Sequence, residues 1–121
     1  MNVETAEFDT NDLPLTVDWR TKGAVTPVQN QLNCISAWAF SAVSAMEGAH
    51  FVATGELVKL SDQQCIDCAI SSGCYGAQPY DCFEYAKYGA TMQTIEDYPF
   101  TGTWGSCEDQ KKGPITESTF T

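Results

Sequence analysis

From Trp38 to Phe51 the chain recurs in apolar residues at helical spacing, with Phe40, Val43, Ala45, Met46, Ala49 and Phe51 as the apolar set. Glycine and proline are absent from this stretch except for Gly48, and Gly55 supplies a stop. It is the longest predicted helix and the expected core element. A second helix is predicted from Ser61 to about Ala69, where Ser61-Asp62-Gln63-Gln64 has the form of a capping box, a serine N-cap with glutamine three residues later. A third begins near Pro79, a residue suited to a first turn, and ends at Gly89. Its expected apolar face holds Tyr80, Phe83, Tyr85 and Ala86. Residues 1 to 13 read as an extended acidic lead-in. Pro14 to Gln31 carries β-branched residues broken by Gly23 and Pro27 and is expected to be extended or looped. Beyond Thr91, Pro99, Gly102, Gly105 and Gly113 predict loops with short extended pieces.

Composition narrows the function classes. The 121 residues, 43% hydrophobic and 18% charged, suffice for one compact domain. No apolar run approaches the roughly 20 residues of a membrane span. The net charge of −10 argues against nucleic acid and against an anionic membrane surface. Met1 to Asp12 lacks the apolar core of a signal peptide. It reads either as the start of a cytosolic protein or as what remains once targeting and pro-segments are removed. The six cysteines favour the second, since an even, dense set belongs to a secreted, lysosomal or vacuolar disulfide protein. A zinc site is the competing use of cysteine. Cys65 and Cys68 form one CxxC, but no second pair exists and the single histidine, His50, lies in the apolar helix. No metal and no cofactor is assigned.

Four ordered stretches carry a family resemblance. Leu13 to Phe40, LPLTVDWRTKGAVTPVQNQLNCISAWAF, resembles the opening of a mature papain-like cysteine protease, cathepsins included. Leu60-Ser61-Asp62-Gln63-Gln64 through Asp67-Cys68, then Gly73-Cys74-Tyr75-Gly76-Ala77, then Tyr98-Pro99-Phe100 are similar to that family's later motifs in the same order. The resemblance implies an α+β papain-like fold, of which residues 13–121 form the mainly helical left domain, three helices with disulfide-held loops. Residues 1–12 are an N-terminal extension or pro-segment remnant. The right domain is then the implied partner, on a separate chain or a missing segment.

In this family a cysteine at the start of the long helix is activated by the helix dipole and a neighbouring imidazolium. A glutamine side chain and a backbone N–H stabilise the oxyanion. By resemblance Gln31 is the oxyanion glutamine, and Trp38 follows the nucleophile and covers part of the site's base. The nucleophile position itself is Ala37, whose methyl group forms no thiolate. Ser36 is directed about 100° away around the helix and is a poor substitute. His50 lies roughly 20 Å along the axis and is no partner base. Trp38, Tyr75, Gly76, Ala77, Gln78 and Pro79 are the implied substrate cleft, with Gln78 making the specificity wall more polar.

The resemblance also implies Cys34–Cys74 and Cys68–Cys107 disulfides. Cys65 and Cys82 remain, as a third bridge or as two buried thiols. Leu32, Ile35 and Ala77 replace glycines of the family pattern, changes that silencing an enzyme by design does not require. The expected function is therefore a catalytically inactive homologue, a pseudoprotease acting by binding or structure. The rival readings are a left-domain piece of an active lysosomal or secreted endopeptidase with its nucleophile changed to alanine, an assembly protein reusing the fold, and a decoy for cystatin-like inhibitors. A peptide or protein ligand is the expected further partner of the pseudoprotease.

Overall fold

The computed structural model describes residues 7, 9–71, 73–88, 90–109 and 113–115. Three α-helices organise it: α1, Ala37–Thr54; α2, Asp62–Cys68; and α3, Pro79–Lys87. Before them, Trp19–Lys22 form a 3-10 turn where the sequence suggested extended or looped chain. Its cause is local. The Asp18 carboxylate accepts from the Arg20 N–H at 3.0 Å, and Gly23, at φ 77°, closes the turn in the left-handed region that glycine enters without strain.

Helix α1 runs through the middle and packs against both α2 and α3. Its core face is Ala39, Ala42, Val43 and Met46, all essentially inaccessible. Leu60, Ile66, Met92 and Ile115 close around them, each contributing about 1.5–3 kcal/mol of side-chain burial. The anticipated core set of α1 was partly misplaced. Ala45 is exposed, while Phe40, Ala49 and Phe51 are only half-buried, with Phe40 edge-on to Phe100 at 5.2 Å. The helix ends at Gly55, φ 78°, whose N–H donates to the Phe51 carbonyl.

The α2 cap differs from the anticipated box. Ser61 Oγ does accept from the Gln64 N–H at 3.0 Å. The Gln64 side chain, however, turns inward: its Oε1 accepts from the Gln93 N–H and its Nε2 donates to the Thr91 carbonyl and Tyr85 hydroxyl. Buried backbone groups left without a partner are costly, so the 91–93 segment outcompetes the helix end for this amide. On α3, Tyr80 is 65% exposed and does not join the apolar face. That face is Cys82 and Ala86, with Phe83 and Tyr85 beside it. The expected stop at Gly89 lies outside the described residues.

All six cysteines are paired, as Cys34–Cys74, Cys68–Cys107 and Cys65–Cys82. The third ties α2 to α3 and leaves no thiolate for a metal. Among the described residues β structure is limited to single bridges: Ile35 with Tyr75 in parallel, Leu60 with Thr94 and Met92 with Ile115 antiparallel.

Candidate functional site

The loop 31–36 delivers the chain to the start of α1. Gln31 Oε1 accepts from the Ser36 N–H at 3.0 Å, and the Ser36 carbonyl accepts from the Ala39 and Phe40 N–H groups. Ala37 is therefore the first residue of an 18-residue helix whose first turn carries no acidic group. It is exposed, at the positive end of the helix dipole. A thiol there would be acidified; a methyl group has no such chemistry. Ser36 offers none either. It is fully buried, and its hydroxyl donates to the Cys34 carbonyl at 3.2 Å.

From Ala37 a groove of 830 Å³ extends along α1. Its floor is the second face of the helix, Ala37, Ser41, Ser44, Ala45, Gly48 and Val52. These recur at three- and four-residue intervals, and their small size makes the trough. The 24–29 segment forms the opposite wall, with Val25 half-exposed and Val28 fully exposed. Helix α1 is thus apolar on the face turned to the core and apolar or small on the face turned to the groove. The groove face carries no charged side chain among the residues named, where a water-facing helix surface ordinarily does.

Beneath the groove wall lies a buried charge cluster. Glu47, 2% exposed, accepts from Lys59 Nζ and from the Leu60 N–H, both at 2.8 Å, and from Thr26 Oγ1 at 3.2 Å. Asp62 Oδ2 accepts from Lys59 Nζ at 3.1 Å and from Gln29 Nε2 at 3.3 Å. Its Oδ1 is buried without a hydrogen-bond partner among the described residues. Burial pushes the Asp62 carboxyl above its ordinary range, against the pull of Lys59.

Comparison with known proteins decides the family. The sequence model of the papain family cysteine proteases matches residues 13–120. The chain belongs to the papain family. Zingipain-1 of Zingiber officinale is 44% identical over 104 residues, which cover 85% of this chain and 47% of that protein. The cysteine protease CMS1MS2 of Carica candamarcensis, solved in complex with E-64, superposes with a TM-score of 0.80 at 41% identity. The bromelain protease of Ananas comosus, solved with the E64 inhibitor, gives 0.82 at 33%. These alignments cover 87% and 86% of this chain and 50% and 49% of those. The chain spans about half the length, or less, of the papain-family relatives it matches.

The structure brings some of the expected site residues together. Gln31 and Ala37 both line the groove. Trp38 instead goes into the core, 4% exposed, with its indole N–H unpartnered among the described residues. Tyr75 to Pro79 lie outside the groove lining. They are held beside the 31–36 loop by Cys34–Cys74 and by the Ile35 N–H, which donates to the Cys74 carbonyl at 2.9 Å. Gln78 and Pro79 are exposed at the start of α3, where the Gln78 N–H donates to Asp81. His50 is half-buried in the second half of α1. Sequence reasoning overlooked the groove floor, whose alanine, serine and glycine carry no chemical signal. It also overlooked Glu47, although a lone carboxylate in an otherwise uncharged helix has to find a cation.

Proposed function

We propose that this chain is a non-catalytic papain-family left domain that works by association, seating a papain-like right domain against the α1 groove. Residue 37 is read as the nucleophile position and Gln31 as the oxyanion donor of that lost activity. The observation that carries the reading is Ala37 itself, an exposed methyl group at the first position of α1. The two-faced apolar character of α1 supports the docking half of the proposal. Three disulfides fit an oxidising, lysosomal or vacuolar setting.

The test is to mix the chain with the right-domain half of a papain-family relative and follow both association and peptide hydrolysis. A one-to-one complex is expected, silent with Ala37 and hydrolytic once Ala37→Cys is introduced. In a comparable triad, loss of the nucleophile lowers kcat by about 10⁶, so the contrast is large. Hydrolysis by the Ala37 complex above the rate of buffer overturns the non-catalytic reading. Failure to associate overturns the docking.

A further inference from the structure

Three glycines on the loops flanking residue 37 have their open faces covered by large apolar side chains of the same chain. A Cβ built on Gly76, whose φ is +102°, would meet Ile35 Cγ2 at 3.8 Å, and one on Gly102 would meet Leu32 Cδ1 at 3.2 Å. One built on Gly73 would fall within the Trp104 ring. Glycine faces of this kind are where another backbone can come close. Here the chain's own side chains have taken them.

Ile35 is the member nearest residue 37, and it is held from two directions. Its backbone pairs in parallel with Tyr75, and the adjoining Cys34 is bonded to Cys74. The side chain remains 60% exposed, so burial is not what fixes it there. Leu32, 63% exposed, extends the same cover from a left-handed backbone, φ 57°.

We propose that Ile35 is a built-in plug of the peptide cleft. It fills space over Gly76 that an extended ligand lying beside residue 37 would need, and so slows the entry of peptides along that stretch without closing it. The inference rests on reading 31–37 and 75–79 as the two walls of a cleft.

All six cysteines are in disulfides, so a cysteine introduced at position 37 is the one free thiol in the chain and reports directly on access. The full chain carrying Ala37→Cys is compared with Ala37→Cys/Ile35→Gly and Ala37→Cys/Ile35→Ala. Each is alkylated with iodoacetamide and with a dipeptidyl chloromethyl ketone bearing phenylalanine, and intact mass gives the rates. Iodoacetamide should react within about twofold across the three, while both Ile35 variants accelerate the peptidyl reagent about tenfold or more, since a single methylene in an apolar pocket is already worth about tenfold and these changes remove three or four carbons. An unchanged ratio of the two rates overturns the plug. So does a gain seen with glycine alone, which would report loosened backbone. If the thiol at 37 reacts with iodoacetamide no faster than a free cysteine, the nucleophile-position reading fails, and the rate ratio still judges Ile35.

Discussion

Replacing Glu47 by alanine is the sharpest test of how the groove wall is held. The carboxylate is 2% exposed and receives three bonds, from Lys59, the Leu60 N–H and Thr26. Alanine leaves the Leu60 N–H buried with its acceptor gone, at a cost of about 1–3 kcal/mol. It also halves the counter-charge around Lys59. Removing one partner of a buried ion pair costs about 3–5 kcal/mol in general. Lys59 keeps Asp62 Oδ2 at 3.1 Å and its side chain is 20% exposed, which places this case near the lower end. The expected loss is about 3 kcal/mol, roughly a hundredfold or more in the folding equilibrium, or a fall in Tm of roughly 10 °C. Urea unfolding with the disulfides intact, followed by tryptophan fluorescence, measures it. Glu47→Gln keeps an acceptor for Leu60 and should cost less than half as much. Lys59→Met made alone and with Glu47→Ala completes a double-mutant cycle, in which the pair must cost less than the sum. A Glu47→Ala chain within about 1 kcal/mol of wild type, or additive costs in the cycle, refutes the cluster as a structural element.

The remaining predictions concern acid, crosslinks and the two functional proposals. Because burial raises the Asp62 carboxyl, its protonated form is favoured in the folded state. Its contribution is therefore fully present below the ordinary carboxylate value of 3.8 and is lost as pH rises through the raised one. Wild type is expected to lose stability as pH rises above 3.8 in urea titrations begun near pH 3, and Asp62→Asn, which leaves Lys59, Glu47 and Gln29 in place around it, should flatten that fall. Removing the Cys65–Cys82 bridge, which closes a separation of 17 residues, should lower stability by about 3 kcal/mol as the alanine pair. The serine pair should lose more, since both positions are fully buried. Right-domain mixing with and without Ala37→Cys, and the alkylation ratio across the Ile35 variants, test the lost nucleophile and the plug.

The helices were legible because punctuation marks them. Gly55, Ser61 and Pro79 sit at their boundaries in the sequence as they do in the fold. What failed was whatever a distant segment decided. Nothing near Gln64 announces that Gln93, Thr91 and Tyr85 will occupy its amide, so a local box was expected where only half of one exists. Tyr80 was counted with the apolar face for its ring, yet in the first turn of α3 it lies on the side away from Cys82 and Ala86. The site was legible only where it has chemistry to advertise. Motifs pointed to Gln31 and Ala37, which the fold brings to one groove, and to two of the three disulfides, while the groove and the glycine covers depend on which loops meet.

These observations separate two layers of the molecule. The environment of residue 37 is built from backbone groups and neighbours: Gln31 holds the Ser36 N–H, the Ser36 carbonyl caps the first turn, and Cys34–Cys74 pins the loop. The side chain at 37 is itself exposed. A small change of residue there should therefore cost little stability, which is what the Ala37→Cys tests require. Leu32 is a different matter. A non-glycine residue at φ 57° carries about 1–2 kcal/mol of backbone strain. The Leu32 N–H, which donates to Asn30 Oδ1 at 2.8 Å, offsets only part of it. Glycine would relieve that strain. A bulky residue kept on a strained, exposed turn beside the cleft is explained by what its side chain covers, Gly102, and not by what it adds to stability. If the proposed plug holds, the cover over Gly76 and Gly102 limits peptide access independently of which residue stands at 37.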